Sequence, residues 1–413
     1  MSRVLLTGNA AAAWGARLAG VDYVPAFPIT PQTEIIETLA GWSARGEIGA
    51  RVTTYESEHS MLTGAAAAAA SGVRVFTATS SQGLLYAMEM VFAAPGWRAP
   101  FVLVNVSRAL ASPITLEPDH TDVLAARDSG FIQIHCATCQ EVVDAVLIAY
   151  RLGEHPRVRL PVLVNQDGFH LSFTREPVEL PDAEAAKAFL PVFDPHQGGF
   201  SASRPISQVV AVLGGSPYSY FRYQVHLAQR EALGVFDAIT DEFASTFGRR
   251  YSAVETYRAD DAEVVFFMIG AFVAKAKHAV DRMRERGVRV GVVRPRLLRP
   301  YPDATLRDAL RGKRAVAVVD QNLSMGSGGV LHAELAGALI GHADMPMLAS
   351  FIGGLGGRDI GEDEFVAMAQ TATTAAQTGC VPAPRLLYTA SELRELRTLQ
   401  GIAGAGKLHE GLT

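Results

Sequence analysis

The sequence predicts an α/β protein built on parallel sheets, and three observations support this prediction. Strand-like and helix-like segments alternate through the first 180 residues. Continuous apolar runs at 101–106 and 160–165 are typical of strands that are buried on both faces. The alternation resumes near Asp261. Strands that alternate with helices favour a parallel sheet with right-handed crossovers.

In the first 180 residues, the predicted strands are short runs of apolar and β-branched residues, and the predicted helices have apolar residues at helical spacing or are rich in alanine. The strands, in order, are Val21–Phe27, Arg51–Tyr55, Val73–Ala78, Phe101–Val106 and Leu160–Asn165. The helices are Thr33–Ala44, Glu58–Ser71, Gly83–Ala94 and Gln140–Leu152.

The rest of the chain is predicted to hold a connector and a second α/β domain. Residues 175–205 are rich in proline and acids and lack periodicity, which indicates a connector on the surface. A long helix, Tyr223–Thr246, follows. The strands and helices of the second domain are Val264–Ile269, Phe272–Arg286, Val288–Arg294, Asp303–Leu310, Ala315–Val319 and Val330–Ile340. The predicted domains are therefore 1–180, 181–258 and 259–413.

Composition argues against several classes of protein. The chain has 413 residues, 49% of them hydrophobic and 19% charged, as expected for a soluble globular protein. A net charge of −5 gives no indication of nucleic-acid binding. The longest apolar run, Gly64–Gly72, is far shorter than the roughly 20 residues of a membrane span. Arg17 and nearby polar residues interrupt the N-terminal apolar run, which argues against a signal peptide. Three cysteines predict a reducing compartment, the cytoplasm.

Four polar segments follow directly on predicted strands. They are PAFPITPQT at 25–33, YESEHS at 55–60, TATSSQGL at 77–84 and NVSRALASPI at 105–114. Parallel sheets bind ligands beyond the carboxyl ends of their strands. We therefore expect these four segments to meet at one edge and to form a site.

Thr30 and Glu58 each have a structural and a ligand-binding interpretation. Thr30 is either a helix-entry hydroxyl or a ligand contact, and Thr33, followed by Glu34, would cap the helix equally well. Glu58 opens an alanine-rich helix, where a carboxylate ordinarily interacts with the helix dipole for ~0.3–1 kcal/mol. Close packing by that helix would instead desolvate the carboxylate and suit it to share a proton with a ring nitrogen.

Two further candidates lie on the next loops. Ser81 and Gln82 are in a polar turn whose backbone N–H groups would bind an anion or a ring edge, although many loops of this kind have no ligand. Arg108 would form either a forked contact with a ligand carboxylate or a structural salt bridge. The arginines between 282 and 299 straddle a helix end and a strand, which favours a solvated surface or a subunit interface.

Several common cofactor signatures are absent from the sequence. It contains no phosphate-binding P-loop and no GxGxxG after the first strand. It also lacks the GDG…Asn signature for magnesium diphosphate, since Gln166-Asp167-Gly168 has no first glycine. Cys136 and Cys139 are interpreted as buried structural thiols rather than a redox pair. With only Cys380 besides, no four-thiolate cluster can form.

Taken in order, the motifs resemble the α subunit of 2-oxoacid:ferredoxin oxidoreductases, the pyruvate synthase family. The motifs are GNAAAAWGA, FPITPQT, YESEHS, TATSSQGL, VNVSRALASPI, DHTDVLAARDSGFIQ and VNQDGF, with RPRLLRPYP, VVDQN and GGLGGRD in residues 261–357. The resemblance implies a pyrimidine-type thiamine diphosphate domain followed by a transketolase C-terminal-like α/β domain. It also implies that a β subunit supplies the diphosphate and Mg²⁺ half of the site. Iron–sulfur clusters would lie on other subunits, γ and a ferredoxin-like δ.

The resemblance also implies roles for individual residues. Glu58 would bond N1′ of the aminopyrimidine, and Thr30 and Arg108 would bind the carboxylate of a 2-oxo acid. Pro28, Ser81 and Gln82 would line the cofactor, and no metal ligand is implied on this chain. The implied reaction is oxidative decarboxylation of the 2-oxo acid with CoA, which gives acyl-CoA and CO₂. Electrons would pass to the clusters and then to ferredoxin or NAD.

Two alternatives remain open at this point. Residues 113–120 read PITLEPDH where the family often has PINIW, so Leu116, Glu117 and Pro118 would reshape the substrate pocket. The substrate is therefore pyruvate or an aromatic 2-oxo acid such as phenylglyoxylate, as in a phenylglyoxylate dehydrogenase-type member. The second alternative is a non-oxidative thiamine-dependent decarboxylase or lyase subunit.

Overall fold

A computed structural model describes residues 2–194, 202–203, 205, 207 and 211–402. The chain divides into two compact units. Unit 1 contains residues 1–255, 269–274 and 294–306, and unit 2 contains residues 256–268, 275–293 and 307–413. The division into 1–180, 181–258 and 259–413 stays a prediction.

The elements up to residue 247 all belong to unit 1. In chain order they are β1 (Ser2–Thr7), α1 (Gly8–Leu18), β2 (Tyr23–Ala26), α2 (Thr33–Ala44), β3 (Arg51–Thr54), α3 (Glu58–Ala70), β4 (Phe76–Thr79), α4 (Ser81–Tyr86), α5 (Met88–Gly96), β5 (Val102–Ser107), α6 (Thr121–Ala125), β6 (Ile132–His135), α7 (Cys139–Gly153), β7 (Val162–Asp167), β8 (Arg175–Leu180), α8 (Ala183–Phe189) and α9 (Gly215–Phe247).

The elements that follow are β9 (Val254–Tyr257), β10 (Val264–Phe267), α10 (Phe272–Glu285), β11 (Val290–Pro295), β12 (Leu297–Arg299), α11 (Asp303–Leu310), β13 (Ala315–Asp320), α12 (Val330–Leu339), β14 (Met347–Ile352), α13 (Glu362–Thr378), β15 (Arg385–Leu386) and α14 (Ala390–Ile402). No helix in these described ranges is long and apolar enough to cross a membrane.

The main sheet of unit 1 has the order β12-β6-β7-β5-β4. Its four consecutive strands from β6 to β4 are parallel, and β12 is antiparallel to β6. Strands β2 and β3 form a separate parallel pair, linked to the main sheet by the bridge between Tyr23 and Val75. Every residue of β5 and β7 is buried, which explains the apolar run that begins each strand.

Small residues on α1 allow close helix packing in unit 1. Ala12, Ala13 and Ala16 are fully buried. Gly15 approaches α7 so closely that a Cβ there would lie 2.7 Å from Cβ of Val146. The alanine residues of α1 therefore lie in the hydrophobic core of unit 1.

The sheet of unit 2 has the order β15-β14-β13-β10-β11-β9. Strands β14, β13, β10 and β11 pair in parallel. On one face, Phe365 of α13 packs edge-to-face on Phe266 of β10, with ring centroids 5.4 Å apart. The predicted α/β architecture is confirmed in both units.

Three local predictions are wrong. The helix predicted over Gly83–Ala94 is two helices, because the chain is not helical at Ala87 between α4 and α5. The predicted connector is not irregular throughout, since β8 pairs with β1 and α8 follows it. Its residues 195–201 and 204 lie outside the described residues. The predicted helix at Tyr223–Thr246 begins earlier, at Gly215.

Candidate active site

The four polar segments do follow neighbouring strand ends. Strands β2 and β3 are parallel to each other, as are β4 and β5, and each leads directly into one segment. The prediction that the segments share the carboxyl edge of the strands is confirmed. Direct hydrogen bonds connect all four segments: Arg108 bonds to Thr30 and to Gln82, and the N–H of Tyr55 donates to the carbonyl of Ala26 at 2.9 Å.

Arg108 is a buried cation with neutral partners. Arg108 is the first residue after β5, and it is 6% exposed. Nη1 donates to the carbonyl of Thr30 at 2.7 Å, and Nη2 donates to Oε1 of Gln82 at 2.6 Å. Nε is buried without a partner, and the guanidinium forms no ion pair with any carboxylate of the described residues. Burial lowers the pKa of Arg108, and the nearby carboxylate of Asp122 opposes that shift. The salt-bridge interpretation of Arg108 is therefore wrong.

The Thr30 loop is held by its backbone. Nδ2 of Asn9 donates to the carbonyl of Pro31 at 2.8 Å, and Nε2 of Gln32 donates to that of Phe27 at 2.8 Å. Thr30 is exposed, and its hydroxyl bonds to no described residue. Pro28 is also exposed in the same loop.

The expected cap at Thr33 is wrong. The N-cap of α2 is Gln32, and no side chain caps the helix. The side chain of Gln32 is turned back to the preceding loop instead. This arrangement stabilises the loop that carries Thr30.

Glu58 is the first residue of α3, but it does not cap that helix. Ser57 is the N-cap, and its hydroxyl accepts from the backbone N–H of Ser60. The Glu58 side chain is 6% exposed, and its carboxylate has no hydrogen-bond or ion-pair partner in the part of the chain that is described. A helix-dipole role does not require this burial.

The Glu58 carboxylate adjoins Gly83 and Thr79. A Cβ at Gly83 would lie 2.6 Å from Oε1 of Glu58 and 2.5 Å from Oγ1 of Thr79. Oγ1 of Thr79 is buried without a partner. Only a glycine at position 83 therefore allows these two polar groups, which the described residues leave unpaired, to approach the backbone so closely.

The turn after β4 was expected to offer its backbone N–H groups to a ligand, and the structure differs from this expectation. Two of its N–H groups are used internally, because that of Ser81 donates to Asp122 at 3.0 Å and that of Gly83 donates to the carbonyl of Ser80 at 2.9 Å. Those two N–H groups are not available to an anion. Ser81 is fully buried, and its hydroxyl lies 2.6 Å from Oε1 of Gln82, so Ser81 supports that side chain. Nε2 of Gln82 is buried and unpaired within the described structure.

Asp122 and Asn9 contribute to this site but were not among the predicted site residues. Asp122, at the start of α6, is fully buried and accepts hydrogen bonds from both site loops. Both residues lie inside motifs that carry the family resemblance, GNAAAAWGA and DHTDVLAARDSGFIQ. That membership was the available signal, since neither has a local pattern that indicates a role.

Asp167 of the incomplete diphosphate motif has a structural partner. Its Oδ1 lies 2.8 Å from Nε2 of His120, and its Oδ2 accepts from the N–H of Ala271 at 2.8 Å. Burial raises the pKa of Asp167, but the charge and hydrogen bond of His120 outweigh burial, so the net shift is downward. Within the described ranges, no group of three or more His, Cys, Asp or Glu side chains could hold a metal ion.

The cysteines fit the structural interpretation. Cys136 and Cys139 are both free and buried. Burial raises the pKa of each thiol, which disfavours the reactive thiolate.

The loop after Arg108 exposes apolar side chains. Ile114 is 75% exposed and Leu116 is 48% exposed. The loop is closed by the N–H of Ala109, which donates to the carbonyl of Glu117 at 3.0 Å.

The residues of this edge fit an aminopyrimidine. Glu58 offers a buried acceptor, Gln82 an unpaired amide donor, and Thr79 an unpaired hydroxyl. Any residue larger than Gly83 would displace the Glu58 carboxylate and the Thr79 hydroxyl from their positions. A polar, planar heterocycle would satisfy these groups.

Comparison with known families agrees with this fit. Residues 14–236 match the family model described as pyruvate flavodoxin/ferredoxin oxidoreductase, thiamine diphosphate-binding, and residues 262–365 match pyruvate:ferredoxin oxidoreductase core domain II. The fold and the site thus define a subunit of the thiamine diphosphate-binding class. The chain belongs to the 2-oxoacid:ferredoxin oxidoreductase family, and it is an α subunit of that family.

Two relatives span nearly the whole chain. It is 38% identical over 382 residues to pyruvate synthase subunit PorA of Pyrococcus abyssi, which covers 92% of this chain and 96% of the relative. It is 39% identical over 376 residues to ketoisovalerate oxidoreductase subunit VorA of Pyrococcus horikoshii, which covers 91% and 95%. Neither name supports the non-oxidative alternative.

Solved structures confirm the fold class. A 2-oxoglutarate:ferredoxin oxidoreductase from Magnetococcus marinus, determined with 2-oxoglutarate, coenzyme A and succinyl-CoA bound, matches with a TM-score of 0.70 at 19% identity. The match covers 90% of this chain and 65% of that one. A split-gene transketolase, as an inactive β4 tetramer, matches with a TM-score of 0.50 at 14% identity, covering 88% and 97%. These similarities concern the fold alone.

Proposed function

We propose that this chain is the α subunit of a thiamine diphosphate-dependent oxidoreductase that converts a 2-oxo acid and CoA to acyl-CoA and CO₂. The observation that carries the proposal is Arg108, a buried guanidinium whose partners are neutral and whose Nε is unpaired. A buried cation is stable when an anion pairs with it. The carboxylate of a 2-oxo acid has the charge and shape for that pairing.

Arg108 and Thr30 would bind the substrate carboxylate. The hydrogen bonds from Arg108 to the Thr30 carbonyl and to Gln82 orient the guanidinium before substrate arrives. The exposed Thr30 hydroxyl would donate to the same carboxylate. Holding the carboxylate in this way would fix the position of the adjacent keto carbon.

Glu58 would hold the aminopyrimidine of the cofactor by sharing a proton with its ring nitrogen N1′. When bound, thiamine diphosphate supplies the nucleophilic carbon and the electron sink for decarboxylation. Gln82 would donate its free amide hydrogens to the cofactor, Ser81 would orient Gln82, and Pro28 would border the site. A carboxylate in a buried pocket is suited to proton sharing because water does not compete.

The remaining parts of the site would come from other subunits. We assign the diphosphate and Mg²⁺ half to a β subunit, and the iron–sulfur clusters to γ and ferredoxin-like δ subunits. Ferredoxin or NAD would be the final acceptor. The cysteine-poor composition of this chain supports the assignment of clusters elsewhere, and it suits a cytoplasmic enzyme.

The substrate side chain would meet residues 113–120. The exposed Ile114 and Leu116 make this loop apolar at its surface. Pyruvate or an aromatic 2-oxo acid such as phenylglyoxylate would therefore be accepted, and a 2-oxo acid with a second carboxylate would not.

The test is a substrate panel on the purified complex. Pyruvate, 2-oxoisovalerate, phenylglyoxylate and 2-oxoglutarate are each assayed for CoA-dependent reduction of a viologen dye. Dye reduction with a 2-oxo acid whose side chain is uncharged, together with co-purifying iron–sulfur subunits, is the expected result. Release of free aldehyde without any acceptor would instead identify a non-oxidative lyase and overturn the proposal.

A further inference from the structure

Asp122 is a buried carboxylate on which hydrogen-bond donors from both site loops converge. Its Oδ2 accepts from the N–H of Ser81 at 3.0 Å and from the N–H of Arg108 at 3.3 Å. The remaining donors are Nδ2 of Asn105 at 3.1 Å, Oγ of Ser107 at 3.1 Å and the N–H of Val123 at 2.7 Å. The side chain is fully buried.

Two of these bonds join the turn after β4 to the end of β5. One oxygen atom receives the N–H of Ser81 from the turn and the N–H of Arg108 from the strand end. The next residue in the turn, Gln82, accepts from Nη2 of Arg108 at 2.6 Å. The two loops are therefore linked in three ways: through Asp122, through the bond between Arg108 and Gln82, and through the Ser81 hydroxyl, which donates to the carbonyl of Ala109 at 2.9 Å. Of these links, the one through Asp122 fixes the backbone N–H groups of both residues 81 and 108.

The segment that carries Asp122 is itself held in place. Two residues earlier, His120 bonds to Asp167 at 2.8 Å, and both side chains are buried. Asp122 is the second residue of α6, and its own Oδ1 accepts from the N–H of Val123 in the same helix. Asp122 therefore presents its oxygens from a fixed backbone.

A carboxylate suits this position because it is an acceptor with several lone pairs and no hydrogen when ionised. Burial, neighbouring charges and hydrogen bonds shift the pKa of Asp122 in opposite directions. Burial raises the pKa of Asp122 and Asp119 raises it further, while the donors from Asn105, Ser81 and Val123 oppose this, and the net shift is upward. These donors nevertheless give the ionised form partners for both of its oxygens. The buried negative charge also favours the cationic form of Arg108.

We propose that Asp122 is a positioning residue that sets the spacing between the cofactor-facing Gln82 and the substrate-facing Arg108. The inference rests on the proposed function. It means that one residue, which touches neither ligand, controls the affinity for the 2-oxo acid and for thiamine diphosphate together. Loss of a direct substrate contact such as Arg108 would instead weaken mainly the affinity for the 2-oxo acid.

The test uses the whole purified complex with Asp122→Ala, Asp122→Asn and a control, Asp144→Asn. Asp144 is an equally buried carboxylate of α7, bonded to Arg249 at 2.6 Å and to Tyr251 at 2.6 Å, with no bond to the site loops. KM for the 2-oxo acid, the dissociation constant for thiamine diphosphate and the thermal midpoint are measured for each.

For Asp122→Ala, we expect KM and the thiamine dissociation constant to rise together by roughly 10- to 100-fold, because displaced groups lose their alignment. Asp122→Asn keeps one oxygen for Ser81 and Arg108, so its effect should be intermediate. Asp144→Asn should lower only the thermal midpoint. The readout that a merely structural role would not produce is the rise in KM and in the thiamine dissociation constant at a thermal midpoint no lower than that of Asp144→Asn.

An assembled Asp122→Ala complex with unchanged KM and thiamine affinity would overturn the inference. If Asp122→Ala does not assemble, the Asp122→Asn complex is the test. The inference would then be overturned if KM and thiamine affinity were the same in Asp122→Asn as in Asp144→Asn. A wild-type complex without CoA-dependent dye reduction would refute the proposed function instead, so the two failures are distinguishable.

Discussion

Replacing Arg108 with alanine removes the group that we propose for substrate binding. Its five N–H hydrogens include two that are bonded to the Thr30 carbonyl and to Gln82, and Nε is unpaired. One charge-assisted hydrogen bond to a carboxylate contributes about 1.5–3 kcal/mol. At 1.36 kcal/mol for each factor of ten, KM for the 2-oxo acid should rise by roughly 10- to 150-fold.

The assay is the viologen-dye reduction with the purified complex, combined with a thiamine titration. The thiamine dissociation constant should change much less than KM, because Asp122 still holds the backbone of residue 108. Arg108→Lys keeps the charge without the planar fork, so its KM should lie between those of wild type and alanine.

Arg74 provides a matched control. It is as buried as Arg108, at 6% exposure, but its guanidinium is paired with Glu154 at 2.6 Å. Arg74→Ala should lower the thermal midpoint without changing KM. Equal effects of Arg108→Ala on KM and on thiamine binding would refute the substrate role and indicate a structural one.

Three further predictions concern the same unit. Glu58→Gln should leave the complex assembled and lower turnover by ~10²–10⁴-fold, the usual contribution of a proton-transfer group, as measured by steady-state kinetics. Gly83→Ala should raise the thiamine dissociation constant at least about tenfold, because its Cβ would lie 2.6 Å from Oε1 of Glu58. Burial lowers the pKa of His120, but the buried carboxylate of Asp167 more than compensates, so the pKa of His120 lies above its ordinary value of 6.5. Burial raises the pKa of Asp167, but His120 outweighs this, so the pKa of Asp167 lies below its ordinary value of 3.8. The contribution of His120 to the stability of the folded state is complete below pH 6.5 and is lost as pH rises through the folded-state pKa of His120. The contribution of Asp167 is present above pH 3.8 and is lost as pH falls through the folded-state pKa of Asp167. The thermal midpoint should therefore fall as pH rises above 6.5, and His120→Asn should reduce this slope.

Each of these predictions has a control. Glu89→Gln removes an exposed first-turn glutamate and should leave turnover unchanged. Gly96→Ala adds a Cβ with nothing within 4 Å, so thiamine binding should not change. Normal turnover in Glu58→Gln, normal thiamine binding in Gly83→Ala, or an unchanged pH slope in His120→Asn would contradict the respective reasoning.

Much of the fold followed from local pattern. The helices at Thr33–Ala44 and Asp303–Leu310 have the predicted bounds, because their apolar spacing is a property of adjacent residues. The carboxyl-edge position of the four loops followed from parallel strand order. The break at Ala87 and the separate pairing of β2 with β3 did not follow from local pattern, because both features depend on what packs against each element.

The sequence by itself determined the family, the α/β class and the candidates Thr30, Glu58 and Arg108. Only the tertiary structure decided how their groups are used. The N–H of Ser81 is bonded to Asp122, 41 residues away, and the Thr30 loop is held by Asn9, whose bond spans 22 residues. Such bonds depend on distances across the fold, which local preference does not encode, whereas helix and strand periodicity depends only on neighbouring residues.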